Sequence, residues 1–217
     1  IMATPFIRTD GTTPKIDFGT PLGGVISLTA ADTTASETIT LPPETCGLMG
    51  VIFQQLDDQV VANAVDETSQ FGTGGTDDTR TIPADMAQAG QCYFIRLSGF
   101  ISNTGTPTGT LRIKLGSTNL VVSGPTTLPS GLTNAFVETV FHFTIRSTGA
   151  LGTVIGQGHT KLIVGALDTT YNRQLTMTAP ATIDFTADQE IDVTYQWGTA
   201  DPANSLTITN SMIQVAR

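Results

Sequence analysis

The chain has 217 residues and a formal net charge of −9, with 10 Lys and Arg against 19 Asp and Glu. Binding to nucleic acid or to an anionic membrane surface requires clustered basic residues, so this balance disfavours both as partners. Only 13% of the residues are charged, against roughly 25% in ordinary soluble domains, whereas threonine fills 39 positions. Threonine is β-branched and favours strands, so the composition predicts an all-β fold and argues against a helical one.

Residues 1–43 are predicted to form an extended N-terminal arm with the first short strands. Thr, Gly and Pro recur through it, with two strand-like pieces at Val25–Thr29 and at 37–41. Such a segment frays unless it is tied down, either by a neighbouring subunit or by its own domain, and both alternatives are open. The first 15 residues lack the apolar core of a signal peptide, and no apolar run is long enough to span a bilayer, so we expect a soluble protein.

The remaining residues, 44–217, are assigned to a single β-sandwich domain that begins less regularly than it ends. A strand is predicted at 48–55 and a short helix at 57–67. Residues 68–89 are turn-rich and longer than most loops, so we interpret them as functional or as covered by a partner. The helix rests on four apolar residues at helical spacing: Val60, Val61, Ala64 and Val65.

After Gly90 the sequence alternates cleanly between apolar and polar residues, which indicates strands with one buried and one solvent-facing side. In the strand at 205–215 the alternation changes parity near Asn210, which predicts a β-bulge or a change of sheet. Roughly eight to ten strands result, enough for two antiparallel sheets, and we predict a jelly-roll sandwich. The residues predicted to face inward are Tyr93, Ile95, Leu97, Ile101, Leu111, Ile113, Leu115, Val137, Phe141, Phe143, Ile145, Ile191, Val193, Tyr195 and Trp197.

No group of residues has the spacing of a catalytic, cofactor or metal site. His142 is interpreted as a surface or interface histidine on a strand. His159 is placed after a Gly156–Gly158 turn that lacks the rest of a dinucleotide-binding motif. Cys46 and Cys92 share no ligand spacing and are favoured as free buried thiols, a disulfide being the alternative. We therefore predict no enzyme activity, no catalytic residue, no cofactor and no metal.

Acidic residues fall into two groups. The pairs Asp57–Asp58 and Asp77–Asp78 offer oxygen ligands for Ca²⁺, but they match no EF-hand loop and are favoured as solvated groups. The second group lies in the C-terminal part: Asp184, Asp188, Glu190 and Asp192. We expect four outward basic residues to pair with Glu138 and with this second group: Arg96, Arg112, Lys114 and Arg146.

Exposed aromatic rings would indicate a glycan-binding surface. Trp197 and Tyr195 have the parity of buried residues, and aromatic residues total only 6% of the chain. Tyr171, in a predicted turn at 166–173, is the one ring expected to be exposed. It is the candidate ligand residue of a glycan-binding alternative.

The C-terminal segment 191–217 (IDVTYQWGTADPANSLTITNSMIQVAR) is a strand ending in Gln-Trp-Gly, a polar turn and a Thr/Asn-rich closing strand. Together with 92–101 (CYFIRLSGFI) and 134–147 (NAFVETVFHFTIRS), it resembles jelly-roll structural proteins of bacteriophage virions, of the head decoration, head fibre or tail-associated type. The resemblance implies a virion component, often a homotrimer, with no catalytic residues.

The favoured hypothesis is a non-enzymatic virion structural protein, assembled in the host cytoplasm. It oligomerises, as a homotrimer, and docks on a phage capsid or tail, which it decorates or stabilises; its partners are further copies of itself and major capsid or tail proteins. The alternative is a glycan-binding adhesin or receptor-binding module that holds a host-surface glycan near residues 68–89 and Tyr171. A β-sandwich hydrolase or cupin-like enzyme ranks last, because two isolated histidines do not form a metal cluster.

Overall fold

The computed structural model describes residues 6–9, 14–19, 25–29, 49–63, 65–75, 79–164 and 169–216. These ranges contain β-strands, turns and irregular segments, and no helix within them could cross a membrane. The chain divides into two compact units, Ile1–Cys46 and Gly47–Arg217.

The first unit contains a three-stranded antiparallel sheet in the order β1-β2-β3. Its strands are β1 (Phe6–Thr9), β2 (Pro14–Gly19) and β3 (Val25–Thr29). The sequence predicted β3, whereas β1 and β2 lie where a loose, extended segment was expected. The strand predicted at 37–41 lies outside the described residues.

The second unit is an antiparallel β-sandwich, which confirms the predicted fold class. Its strands in chain order are β4 (Met49–Gln54), β5 (Gln59–Ala62), β6 (Thr68–Ser69), β7 (Thr81–Ile82), β8 (Cys92–Ser102), β9 (Thr108–Leu115), β10 (Thr118–Val122), β11 (Thr126–Thr127), β12 (Ala135–Ser147), β13 (Gly152–Val164), β14 (Thr169–Thr176), β15 (Ala181–Ile183), β16 (Gln189–Trp197) and β17 (Ser205–Ala216).

The large sheet has the order β14-β13-β12-β8-β17-β4, with β15 beside β13 and β5 beside β17. The small sheet has the order β10-β9-β16-β6, with β11 beside β9 and β7 beside β16. The chain crosses between the sheets several times, among other places from β8 in the large sheet to β9 in the small one and from β16 in the small sheet to β17 in the large one. The neighbouring pairs β8–β17 and β9–β16 therefore lie in opposite sheets. The jelly-roll strand order remains a prediction.

The core lies between the two sheets and is formed by the predicted inward residues. Trp197, Phe141 and Ile95 are all 1% exposed or less, as the alternation required. Burial of one such side chain contributes roughly 1.5–3 kcal/mol, so this alternation is the main source of stability for the sandwich. The indole of Trp197 also donates a hydrogen bond to the Val61 carbonyl, 3.0 Å away.

The predicted irregularity in the last strand is confirmed as a register shift between Ile208 and Asn210 against β8. Thr209 and Asn210 are both exposed, while Ile208 and Ser211 are buried. On its other side β17 changes neighbour at this point, from β5 to β4. The extra residue thus keeps both halves of β17 with their apolar side chains toward the core.

Gln55 fills the gap that this bulge opens. Its Nε2 donates to the Ile208 carbonyl at 2.7 Å, and its Oε1 accepts from the Ser211 hydroxyl at 2.6 Å. The same oxygen accepts from the Gly72 amide at 3.3 Å. Gln55 and Ser211 are both buried, so a polar network replaces the backbone ladder where the register shifts.

The helix predicted at 57–67 is wrong. Gln59–Ala62 is strand β5, which pairs with Ser205–Ile208 of β17. Val61 is buried at 1% exposure and Val60 is 52% exposed, so these neighbours follow a period of two. Pairing with the open side of β17 supplies backbone hydrogen bonds that a short, marginal helix lacks, and tertiary contact overrides the helical spacing.

Two predicted turns are also wrong. Gly156–Gly158 and His159 lie inside β13, where His159 pairs with Val140 of β12. A Cβ at Gly158 would be 2.1 Å from the Val140 carbonyl oxygen, so glycine permits close strand approach here rather than a reversal. Tyr171 lies on β14, paired with Leu162 of β13, instead of in a turn.

Cys92 carries a free thiol and is partly buried at the start of β8. Cys46 lies outside the described residues, so the structure gives no account of it.

Candidate functional site

A cavity of about 280 Å³ lies between the two sheets of the sandwich. We call it the intersheet cavity. It lies where β14 of the large sheet comes close to β10 of the small one. Its apolar lining comes from both sheets: Ile101, Leu111, Leu128, Val137, Leu162 and Leu206. The volume is near the lower end of the roughly 300–1,000 Å³ that is typical of small-molecule sites.

Two buried polar side chains in the lining lack hydrogen bonds within the described part of the protein. They are Gln70, through Nε2, and Tyr195, through its hydroxyl. Both residues are more than nine-tenths buried. A buried donor without a partner costs about 1–3 kcal/mol, so such groups are rare in purely structural cores. Burial also raises the pKa of Tyr195, which keeps its hydroxyl protonated and able to donate.

Gly109 creates the space that the Tyr195 hydroxyl occupies. A Cβ at this position would be 1.8 Å from the hydroxyl oxygen and 2.4 Å from the ring carbon that carries it. Gly109 lies on β9 and itself lines the cavity. Any other residue there would displace the Tyr195 ring, so the polar end of the cavity depends on this one glycine.

The mouth of the cavity is formed by Tyr171, Arg173 and Thr126. Tyr171 and Arg173 alternate on β14 and share the inward face with their register partners Leu162 and Thr160. The Arg173 guanidinium donates to the Thr126 hydroxyl at 2.9 Å and to the carbonyl of Ser123. Arg173 therefore links the edge strand of the large sheet to the small sheet across the opening.

The structure places the sequence-predicted residue Tyr171 at this mouth, with 51% of its surface exposed. The predicted 68–89 segment contributes Gln70 to the same cavity. Sequence reasoning missed Gln70, Gly109 and Arg173 as site residues. Tyr195 was predicted only as a core residue. Gly109 belongs to a segment rich in turn residues, so nothing in the sequence distinguishes it from the other glycines of that segment.

Of the four basic residues predicted to form ion pairs, one has the predicted partner and three do not. Arg96 binds Glu138 at 2.6 Å, as expected for cross-strand neighbours. Arg112 and Lys114 instead bind Glu67, at 3.6 and 2.9 Å. The hydrogen bond from Lys114 is the main cause that lowers the pKa of Glu67. In the described part of the chain, Arg146 has no carboxylate partner.

Arg80, which the sequence analysis did not single out, holds the second acidic group together. Its guanidinium lies 2.7 Å from Glu190 and 3.3 Å from Asp192. It also lies over the rings of Phe71 and Phe53, with 5.1 and 5.9 Å to the ring centres. A cation from the 68–89 segment thus binds two carboxylates of the second acidic group.

The remaining candidates do not come together. His142 lies on the outer face of the large sheet, with its ring 5.9 Å from that of Phe94. Asp57 and Asp58 are exposed, and Asp77 and Asp78 lie outside the described residues. Among the residues that the structure describes, no three His, Cys, Asp or Glu side chains are grouped to hold a metal ion. The intersheet cavity is therefore the candidate functional site.

Comparison with known proteins adds little to this geometry. No protein family matches the sequence, and no curated protein matches it. One similar solved structure is the CBM2 module of the evolved Dit of Lactobacillus casei BL23 phage J-1. It shares 10% sequence identity, with a TM-score of 0.35, over 79% of this chain and 98% of that one. A likeness at this level carries no argument about function.

Proposed function

We propose that the protein is a non-enzymatic structural component of a bacteriophage particle, which self-associates through the outer face of its large sheet. One observation carries the proposal. A row of register neighbours crosses five strands of that face: Ile163, Phe136, Phe100, Thr207 and Val60. We call this the aromatic row. At about 4.8 Å per strand it spans about 19 Å.

Apart from Thr207, the aromatic row is apolar, and it is open to solvent. Phe100 is 43% exposed, Phe136 is 36% exposed and Val60 is 52% exposed. The rings of Phe100 and Phe136 contact each other edge to face, with 6.3 Å between their centres. Beside Phe136 is a shallow hollow of about 510 Å³, lined by residues 131–136, Ile163 and Val164. Contiguous exposed apolar surface of this kind is typical of protein–protein interfaces.

The charge of the face favours a second copy of this chain as the occupant. The chain carries a net charge of −9, so two copies repel each other unless the surfaces in contact are uncharged. The aromatic row contains no charged residue, and Glu138 beside it is neutralised by Arg96. Self-association therefore buries apolar surface without placing like charges opposite each other. This agrees with the homotrimer that the sequence resemblance implies.

Size-exclusion chromatography with light scattering tests the self-association. The wild type should have a mass near three times 22.8 kDa. The double variant Phe100→Ser/Phe136→Ser should be monomeric, with its β-sheet circular dichroism intact. Leu151→Ser is the matched control, because Leu151 is 80% exposed in a turn away from the row. A monomeric wild type, or a double variant that stays oligomeric, would contradict the proposal.

The virion assignment needs its own test. Antibodies to the chain should label purified phage particles in immunoelectron microscopy. Particles that lack the chain would refute this part of the proposal and leave the self-association result unaffected.

Tyr171 supports a second candidate function, glycan binding. Its half-exposed ring at the cavity mouth can stack on a sugar ring in the way that aromatic residues of glycan sites do. On a glycan array, wild-type binding should be lost in Tyr171→Ala and kept in Gln174→Ala, an exposed neighbour on β14. Equal binding by the two variants, or no binding by the wild type, would rule out this role for Tyr171.

A further inference from the structure

We propose that the intersheet cavity binds a small amphipathic carboxylic acid, whose apolar body fills the interior and whose carboxylate meets Arg173 at the mouth. This goes beyond the structural and glycan-binding functions, which both concern the surface.

The lining of the intersheet cavity favours a ligand with an apolar body. The surface of the cavity is mainly apolar, and six aliphatic side chains from both sheets contribute to it, so a ligand inside exchanges water for hydrocarbon contact. A monosaccharide fits poorly, because each of its hydroxyls would need a hydrogen-bond partner on a mainly apolar surface. A saccharide can therefore bind only at the exposed ring of Tyr171. The interior of the cavity binds a different class of ligand.

The volume limits the size of that body. A cavity of about 280 Å³ corresponds to on the order of ten non-hydrogen atoms, at roughly 30 Å³ each. A medium-chain carboxylic acid has this size, whereas a long-chain lipid does not fit. The ligand is therefore a small, water-soluble amphiphile.

The polar atoms of the interior indicate a ligand more than an empty core. Within the described residues, the Tyr195 hydroxyl and Gln70 Nε2 are buried without partners, although both belong to residues that line the cavity. The sequence provides a glycine at position 109 to seat that hydroxyl. A single acceptor atom on the ligand body, such as a carbonyl oxygen, would satisfy either donor, so an oxo-substituted medium-chain acid should bind more tightly than the plain acid of the same length.

The charge at the mouth indicates an acid. In the described part of the sandwich, Arg80, Arg96, Arg112 and Lys114 form ion pairs with carboxylates. Three basic residues there lack such a pair, and one of them, Arg173, lies on the inward face at the cavity mouth. Among the described residues, its hydrogen bonds go to neutral oxygens, of Thr126 and Ser123. A guanidinium in this setting suits a carboxylate, which it binds with charge-assisted hydrogen bonds.

Binding of octanoate to the full chain, followed by isothermal titration calorimetry, tests the proposal. Octanoate has about ten non-hydrogen atoms and matches the volume. It should bind the wild type, whereas octan-1-ol should bind more weakly and glucose should not compete. Arg173→Gln should weaken binding about tenfold, as expected for loss of a charged hydrogen bond. Arg146→Gln makes the same charge change on an exposed residue outside the cavity and should leave affinity unchanged.

A second variant separates the cavity from the charge at its mouth. Leu162→Trp places a larger side chain in the lining and should abolish octanoate binding while β-sheet circular dichroism is retained. If that variant fails to fold, the contrast between Arg173→Gln and Arg146→Gln still decides. Absence of binding to the wild type, equal affinity in those two variants, or displacement of octanoate by glucose would overturn the proposal. None of these results depends on oligomeric state or on particle association.

Discussion

At the scale of single residues, the polar network around Gln55 is the most sensitive point of the sandwich. Its amide satisfies the Ile208 carbonyl, the Ser211 hydroxyl and the Gly72 amide in a buried setting. Gln55→Ala should lower the free energy of unfolding by about 2–4 kcal/mol, because it leaves these groups without a partner. Urea denaturation measures the change. Gln157→Ala, at an exposed site on β13, is the control and should change stability by less than about 0.5 kcal/mol.

The ion pair between Glu67 and Lys114 should make stability depend on pH. The folded state lowers the pKa of Glu67, chiefly through the hydrogen bond from Lys114. The stabilisation is therefore present above the ordinary Glu pKa of about 4.3 and is lost as the pH falls through the lower folded value. A double-mutant cycle of Glu67→Gln and Lys114→Gln should give a coupling of about 0.5 kcal/mol at pH 7 and almost none near pH 2. A coupling that grows on acidification would contradict this assignment.

Sequence reasoning predicted which residues face inward and missed what their polar atoms do. Tyr195 was correctly placed in the core from its alternation with Thr194 and Gln196. The place of its hydroxyl depends on Gly109, which is distant in sequence and becomes a neighbour only through the pairing of β9 with β16. Arg80 was missed for the same reason. It comes from an irregular segment, and only the closure of that segment over β16 brings it to Glu190.

At the scale of elements, β17 shows how a single extra residue preserves a long strand. Thr209 lies at the register shift, between Ile208, which pairs with Gly99, and Asn210, which pairs with Ser98. Deleting Thr209 therefore restores an uninterrupted ladder and leaves Ser211, Ile213 and Val215 facing inward. We expect this deletion to lower stability by only about 1 kcal/mol, through disturbance of the Gln55 network.

Deletion of Thr207 is the matched comparison. It removes one residue from a regular part of the same strand, where Leu206 and Ile208 both face the core. The parity of one half must then invert and expose a buried aliphatic side chain, which should cost about 3 kcal/mol or more. Thermal unfolding of the two deletion variants compares them directly. If both lose the same stability, the bulge does not set the register.

The strands after Gly90 were predictable because a half-buried strand leaves a period-two pattern that is independent of its partners. The segment at 57–67 was not, because Val60 and Val61 are compatible with either spacing over so short a run. Its pairing with Ser205–Ile208 decides the outcome, and that partner lies at the other end of the sequence. Tyr171 was also misplaced, because its flanking residues suggested a turn, whereas it pairs with Leu162 on the preceding strand.

At the scale of the whole molecule, the two sheets of the sandwich followed from the number of amphipathic strands, whereas the order of their strands did not. Two antiparallel layers are the solution that lets many amphipathic strands bury one face each. Which strands become neighbours depends on pairings such as β8 with β17, whose sequence signals are shared by every other strand. The intersheet cavity also depends on how the two sheets pack, since its lining combines residues from both sheets.

The sandwich carries its own core, and this predicts how the chain unfolds. The hydrophobic core that the structure describes in the sandwich lies between Phe53 and Val215, in the unit Gly47–Arg217. Trp197 is the one tryptophan of the chain and is fully buried there, so its fluorescence reports on this unit. In urea, a fragment of residues 47–217 should therefore unfold in one cooperative transition when it is followed by Trp197 fluorescence. A fragment without a cooperative transition would mean that this core does not suffice to fold the sandwich.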